Sequence, residues 1–244
     1  MTTKERMNSP NKTARIAGLL YLIMVPFAVF GSFYVNSLIV PGEAAITANN
    51  FMASESLIRL SIVSALFVQI GHILLVLVLY KLLKPVNKNI AALMVIFLLV
   101  GVPIAMLNQL NQIAALILVS GADYLPVFEA GQLHAQVMLF LDLYDYGAQI
   151  AVIFWGLWLF PFGYLVFKSG YIPRILGVLL IIGGFGYLID FFTSFLLPNY
   201  ANYEAILLVV IPLLTIPGEL LLPLWLLIKG VNVEQWEKRA LESS

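Results

Sequence analysis

The sequence predicts an all-α polytopic membrane protein with six transmembrane helices, and three observations carry that prediction. Of the 244 residues, 61% are hydrophobic and only 11% are charged, and the mean hydropathy is +0.97. A soluble domain carries about a quarter charged residues. Six apolar segments are long enough to cross a hydrocarbon core of about 30 Å as helices. The length of these segments excludes barrel strands, and a spanning segment must satisfy its backbone internally, so each is expected to be helical.

The six predicted spans follow one another along the chain with short polar connections. They cover residues 14–40, 57–83, 90–120, 136–167, 172–197 and 204–228. The connections hold turn-forming and charged residues, as in PGEAA, KPVNKN, SGADYLP, KSGYIP and LPNYANY. We therefore expect one transmembrane domain over residues 1–244, with residues 229–244 as a short, partly helical tail.

The basic residues predict how the spans are oriented. Twelve of the 13 Lys and Arg residues fall on one side of a six-span arrangement: Lys4, Arg6, Lys12, Arg15, Lys81, Lys84, Lys88, Lys168, Arg174, Lys229, Lys238 and Arg239. The loops on the other side carry Glu43, Glu55, Asp123 and Glu129 instead. Because cytoplasmic loops are enriched in Lys and Arg, both termini are predicted to be cytoplasmic in the plasma (inner) membrane.

Three stretches resemble a known family. They are NKTARIAGLLYLIMVPFAVFGS near the start, GLWLFPFGYLVFKSGYIPRILGVLLIIGGFGYLID in the middle, and PGELLLPLWLLIKGV near the end. Together they are similar to the bacterial and archaeal membrane family called domain of unknown function 4386. The middle stretch is the most specific, and the resemblance spans nearly the whole chain. It implies a multi-pass membrane protein and carries over no activity or catalytic residue.

Polar residues of helices two to five form a predicted outer layer. Counted at about 1.5 Å per residue from the basic residues, Asp145 lies about 35 Å from Lys168 and Asp190 about 24 Å from Arg174. The outer polar cavity is predicted to include Arg59, Asn108, Gln109, Asn111, Gln112, Asp142, Asp145, Gln149 and Asp190. In one interpretation Arg59 pairs with an aspartate and the other carboxylates meet a cationic or hydroxylated ligand. In the other, these residues meet lipid headgroups and water, and an Arg59–Asp pair has only a structural role.

Helical periodicity predicts which faces point inward. At 100° per residue, Asp142, Asp145 and Gln149 fall within an arc of about 60°. Small residues continue this stripe along the same helix, and a similar face occurs on the next helix: Gly156 and Gly163 on the first, Gly183, Gly186, Asp190 and Ser194 on the second. Small residues are typical of helix–helix contacts in membranes, so these two helices are predicted to pack through their glycine faces.

A second polar layer is predicted near the midplane. His72 and Glu219 both lie about 14–15 Å from the nearest lysine of their own helix, and Gln69 lies one turn from His72. Without a cation at its depth, Glu219 is predicted to be protonated or bonded to the imidazole of His72. The pair is expected either to relay protons or hold a coupling ion, or to form one structural hydrogen bond. Prolines at positions 212, 217 and 223 predict a kinked sixth helix.

Composition and motifs exclude several classes of function. The chain has no cysteine, which removes disulfides, thiolate nucleophiles and iron–sulfur clusters. Two histidines without an HExxH pattern predict no metal site, no cofactor motif is present, and zero net charge predicts no nucleic-acid partner. The interpretation favoured here is a non-enzymatic, permease-like or ligand-binding protein for a small or lipidic molecule, with the bilayer as its surroundings. The alternatives are an intramembrane enzyme using Asp, Glu and His as acid and base, and an accessory membrane subunit.

Overall fold

The fold is described by a computed structural model over residues 10–198 and 202–243. Two of the basic residues used above, Lys4 and Arg6, lie outside the described residues, and so do residues 199–201 of the last predicted connection. Between these limits the chain forms helices joined by short turns, and no strand occurs in the described ranges.

The helices follow the predicted order. They are α1 Pro10–Leu38, α2 Ala44–Ala53, α3 Glu55–Leu83, α4 Lys88–Val119, α5 Ala130–Ser169, α6 Arg174–Leu196, α7 Glu204–Ile228 and α8 Val233–Glu242, with a short 3₁₀ turn at Leu125–Val127. Six of them are long and apolar enough to cross a membrane, namely α1 and α3 to α7. The prediction of an all-α, multi-pass membrane protein is thus confirmed. The short helix α2 was not predicted, because its sequence is only ten residues long.

Local sequence explains where the spanning helices begin and end. Asn87 precedes α4, and its side-chain oxygen accepts hydrogen bonds from the backbone N–H groups of Asn89 and Ile90, which have no partner within the helix. Gly121 and Gly170 follow α4 and α5 with φ of 71° and 77°. This left-handed conformation ends a helix at little cost only for a residue without a side chain.

The residues divide into two compact units. Of the described residues, the first unit comprises 10–23, 71–102, 151–198 and 202–243, and the second comprises Met24–Ile70 and Pro103–Ile150. Helices α1, α3, α4 and α5 each contribute one segment to both. The core of the second unit draws on five helices: Val35, Ala48, Phe51, Ile58, Ile62, Ala115, Leu116, Val137 and Leu141.

In the first unit, α5 and α6 pack through glycines. A Cβ added at Gly163 would lie 2.6 Å from the carbonyl oxygen of Gly177, and one at Gly156 would lie 3.1 Å from that of Gly184. These distances leave no room for a side chain, so the predicted packing of these two helices through Gly156 and Gly163 is confirmed.

The predicted contribution of α6 to that contact was wrong for Gly186. This residue faces α7 instead, since its added Cβ would lie 2.9 Å from Cγ2 of Thr215. Gly183 lies between the two neighbours, with Cδ1 of Leu159 on α5 at 3.4 Å and Cα of Thr215 on α7 at 3.5 Å from its added Cβ. Helix α6 has glycines on two faces, and periodicity alone does not say which face meets which neighbour. Helix α6 therefore makes a close contact on each side, with α5 and with α7.

The C-terminal end of α3 is capped by side chains from two other segments. The carbonyl oxygen of Leu82 accepts hydrogen bonds from the hydroxyl of Tyr171, at 2.8 Å, and from Nε1 of Trp236, at 2.9 Å. Carbonyl groups in the last turn of a helix have no N–H partner within it. Tyr171 lies in the α5–α6 connection and Trp236 in α8, so this one acceptor anchors both.

Candidate functional site

Helix α7 carries a carboxylate far from either helix end. Glu219 lies nine residues before Ile228, about 14 Å along the axis. An ionisable side chain at such depth is costly unless it is hydrogen-bonded or paired, and is therefore a candidate functional residue.

Both oxygens of this carboxylate accept hydrogen bonds from tyrosines. The hydroxyl of Tyr21, on α1, donates to Oε1 of Glu219 at 2.6 Å. The hydroxyl of Tyr187, on α6, donates to Oε2 of the same side chain. We call Glu219, Tyr21 and Tyr187 the carboxylate–phenol cluster. It joins three spanning helices through one side chain.

Close helix contacts position the cluster. A Cβ at Gly18, one turn from Tyr21, would lie 2.6 Å from the carbonyl oxygen of Pro223 on α7. On the other side, Gly186 brings α6 against Thr215, one turn before Glu219. The glycines thus let α1 and α6 approach α7 closely enough for both hydroxyls to reach one carboxylate.

Aromatic rings cover one side of the cluster. The ring of Tyr21 stacks on Trp158 with centroids 6.5 Å apart, and Trp158 stacks in turn on Phe162 at 5.0 Å. Trp158 and Phe162 are almost fully buried. These rings surround the hydrogen bonds with apolar material, where hydrogen bonds are electrostatically stronger than in water.

The prolines of α7 leave backbone carbonyls without helical partners. Proline has no N–H, so the carbonyl of the residue four positions earlier loses its hydrogen bond. For Pro223 that residue is Glu219 itself, and for Pro217 it is Leu213. The carboxylate therefore lies in a segment of α7 that lacks the backbone hydrogen bonds of Leu213 and of Glu219.

The predicted midplane residues have different neighbours. The hydrogen-bond partners of Glu219 are phenols, whereas the sequence left open a protonated carboxyl or a bond to the imidazole of His72. The ring of His72 lies against Trp155, with centroids 6.3 Å apart. Gln69, one turn from His72 on α3, is 6% exposed.

Polar residues of α4 form a second cluster, in the second unit. Asn108 donates from Nδ2 to the carbonyl oxygen of Tyr144 at 2.8 Å, and its Oδ1 accepts from Nδ2 of Asn111 at 2.9 Å. A side chain at Gly147 would overlap that of Asn108. Gly147 is thus the position on α5 that admits Asn108, and Asn108 is held on both sides.

Two amides beside Asn108 have oxygens without a donor. Gln109 is 7% exposed and Gln112 only 1%, and the Oε1 atom of each has no hydrogen-bond partner. Both side chains interact with the hydroxyl of Tyr144 on α5. We call Asn108, Gln109, Gln112 and Tyr144 the amide cluster. It is rich in acceptors and contains no charged side chain.

The outer carboxylates of α5 lie on a different face of the helix from the side that meets Asn108, although Asp145 still interacts electrostatically with Tyr144 of the cluster. Asp145 lies two residues from Gly147, which places it about 200° around the helix from the side that meets Asn108. Asp142 lies on the same side as Asp145, and both are exposed. Gln149 shares their face and has a buried Oε1 atom without a partner. Asp190 belongs to the first unit, on α6, one turn from Tyr187.

The predicted ion pair of Arg59 with an aspartate was wrong. Arg59 instead pairs with Glu55, four residues earlier on α3, at 2.8 Å. Both side chains are at least half exposed, and residues four apart on a helix are natural partners. The pair stabilises the start of α3 and leaves the aspartates of α5 to other roles.

Tyr21, Tyr187 and Tyr144 were missed by sequence reasoning, because tyrosine is common at membrane interfaces. One signal could have found the first. Tyr21 lies nine residues from Lys12, about 14 Å deep, which matches the depth of Glu219. In residues 10–198 and 202–243, no group of three or more His, Asp or Glu side chains is arranged to hold a metal ion.

Comparison with known proteins places the chain in a family. A protein of Archaeoglobus fulgidus described as an uncharacterized protein is 34% identical over 177 residues, which cover 72% of this chain and 86% of the relative. No solved structure matches. The model of the family described as "Domain of unknown function (DUF4386)" matches residues 16–230, nearly the whole transmembrane region. The chain therefore belongs to the DUF4386 family of multi-pass membrane proteins.

Proposed function

We propose that this chain is a permease-like or ligand-binding protein for a small or lipidic molecule, located in the plasma membrane with both termini in the cytoplasm. The proposal is non-enzymatic. The observation that carries it is the pair of buried carbonyl oxygens of Gln109 and Gln112, which lack a hydrogen-bond donor inside a membrane-spanning helix.

A buried acceptor without a donor costs about 1–3 kcal/mol. Each such group therefore invites an explanation such as a ligand or an ordered water. A ligand with hydroxyl or amine donors supplies what these oxygens lack. Because the amide cluster holds no charged side chain, it favours a polar group that is neutral and rich in donors.

The geometry supports a prepared site. Asn108 is held by Tyr144 and Asn111, so the α4 turn that carries Gln109 and Gln112 has a defined position against α5. A prepared site loses little conformational entropy when a ligand binds. The exposed Asp142 and Asp145, on the opposite face of α5, contribute an acidic rim at the outward-facing end of the proposed protein.

Mass spectrometry of molecules retained on the purified protein tests this proposal. We expect the wild type to retain a molecule that bears hydroxyl or amine groups. Gln109→Leu and Gln112→Leu keep the side-chain size and remove the acceptor, so each is expected to lower recovery of that molecule about tenfold, equivalent to about 1.4 kcal/mol. Uptake of the molecule into proteoliposomes then distinguishes the two roles. Protein-dependent flux indicates transport, and retention without flux indicates binding alone.

The matched control is Asn36→Leu, which removes an exposed amide from α1 and is expected to leave recovery unchanged. Equal recovery from the wild type and both glutamine variants would contradict the proposal. So would a wild type that retains nothing beyond bulk lipid.

A further inference from the structure

We infer that the carboxylate–phenol cluster is a reversible proton-binding site, in which protonation of Glu219 changes the hydrogen bonds that hold α7 to α1 and α6. This inference goes beyond the proposed function, and proton binding at Glu219 does not depend on any ligand at the amide cluster.

The first argument is charge. Both partners of Glu219 are neutral phenols, which satisfy the hydrogen bonds of the carboxylate without neutralising it. Among the described residues the ion pairs are Arg59–Glu55 and Arg239–Glu242, so Glu219 has no cationic partner there. The nearest cation along its own helix is Lys229, about 15 Å away.

The second argument is that two effects oppose each other at this position. Apolar surroundings, including Trp158, disfavour a buried charge and so stabilise the protonated acid. Two O–H donors stabilise the ionised carboxylate, because hydrogen bonds to a charged group are stronger than neutral ones. Because the two effects oppose each other, the protonated and the ionised form each have a stabilising interaction at this position, which favours reversible uptake.

Proton binding requires a rearrangement of hydrogen bonds. A carboxylate accepts from both phenols, whereas a protonated carboxyl has one oxygen that must donate. The proton adds to Oε1 or Oε2, and the tyrosine at that oxygen changes from donor to acceptor or turns away. No bond between heavy atoms forms or breaks and no electron is transferred. One of the two links from α7, to α1 or to α6, is altered.

Helix α7 is built to respond to such a change. Three prolines, Pro212, Pro217 and Pro223, remove backbone hydrogen bonds along it, and Glu219 lies between the last two. The contacts that flank the cluster are narrow glycine seams at Gly18 and Gly186. A change in the hydrogen bonds of Glu219 to the tyrosines therefore acts on a part of α7 that lacks backbone hydrogen bonds of its own.

The other titratable groups near the cluster are few. Helix α1 presents Tyr21, and α6 presents Tyr187 with Asp190 one turn away, which interacts electrostatically with Tyr187. Helix α5 presents Trp158, which does not titrate. His72 of α3 lies against Trp155, which also belongs to α5. The experiment must therefore separate Glu219 from Asp190 and His72.

Infrared spectroscopy of the intact protein in lipid nanodiscs distinguishes Glu219 from His72, because a protonated carboxyl has a C=O absorption that imidazole lacks. Variants distinguish Glu219 from Asp190. The titration runs from about pH 5 to about pH 9, below the ordinary range of tyrosine. We expect a carboxyl band that disappears reversibly as the pH rises. Glu219→Gln should abolish it, whereas Asp190→Asn, Asp142→Asn and His72→Asn should retain it.

Tyr21→Phe and Tyr187→Phe test the same proposal with Glu219 in place. Each removes one donor that stabilises the ionised form, so the midpoint should move to higher pH by about one to two units. A Glu219 band that stays constant across the range would overturn the inference, as would unchanged midpoints in both tyrosine variants. No ligand is added in this experiment. A protein in which Glu219 titrates but which retains no ligand would therefore contradict the proposed function and leave the proton-binding inference standing.

Discussion

At the scale of single residues, two acceptors in the first unit are satisfied by tyrosines that are far away in sequence. Glu219 meets Tyr21 across 198 positions and Tyr187 across 32. The hydroxyl of Tyr171 reaches the carbonyl oxygen of Leu82 across 89 positions. In each case a tyrosine hydroxyl donates to an acceptor that has no donor within the acceptor's own helix. The tyrosine ring meanwhile stays in apolar surroundings.

Tyr171 makes a prediction about alkaline stability. It lies outside the spanning helices and is 3% exposed, and burial raises the pKa of its hydroxyl, an effect that Arg239 partly opposes. The folded state thus holds this proton more tightly than the unfolded state. Its contribution to stability is complete below about pH 10, the ordinary tyrosine value, and is lost as the pH rises through the higher folded pKa.

Tyr171→Phe removes both the hydrogen bond and the titration. We expect the variant to be less stable at neutral pH by about 1 kcal/mol and to lose less stability than the wild type above about pH 10. Thermal unfolding in detergent at several pH values measures both effects. The control is Tyr124→Phe, at a residue 65% exposed. Parallel alkaline slopes for the wild type and Tyr171→Phe would show that the argument is wrong.

At the scale of elements, glycine faces decide which helices meet. Gly163 on α5 and Gly177 on α6 leave their backbones in contact, and Gly186 leaves a second face of α6 against α7. Close approach of backbones is a main source of helix association in lipid, where the hydrophobic effect does not drive it.

Gly163→Ala tests the α5–α6 contact. Alanine favours a helix over glycine by about 1 kcal/mol, but its Cβ would lie 2.6 Å from the carbonyl oxygen of Gly177. Overpacking costs about 1–3 kcal/mol, so we expect a net loss of stability, measured as a lower thermal unfolding midpoint in detergent. Gly131→Ala is the control, because nothing lies within 4 Å of its added Cβ. A Gly163→Ala variant as stable as Gly131→Ala would disprove the contact.

At the scale of the whole molecule, the arrangement of charge predicts how the chain crosses the membrane. Under the positive-inside rule, the proposed orientation has both termini and the α3–α4 connection in the cytoplasm and the α4–α5 connection outside. Because the chain has no cysteine, any introduced cysteine is its single thiol.

Asn89→Cys, in the first turn of α4, and Asp123→Cys, between α4 and α5, test this topology. In intact cells a membrane-impermeant thiol reagent should label Asp123→Cys and leave Asn89→Cys unlabelled. After permeabilisation both should react, which serves as the control for accessibility. The reverse labelling pattern would mean that the termini face outward.

The sequence by itself determined the number of spanning helices and their approximate bounds. Apolar length and the rise of a helix suffice for these, whereas the depth of Glu219 and the other polar residues in the bilayer stays a prediction. Only the tertiary structure decided that Glu219 meets Tyr21 and Tyr187, that Arg59 meets Glu55, and that Gly186 faces α7. Periodicity defines the faces of each helix, but which faces meet depends on packing between segments that are distant in the chain.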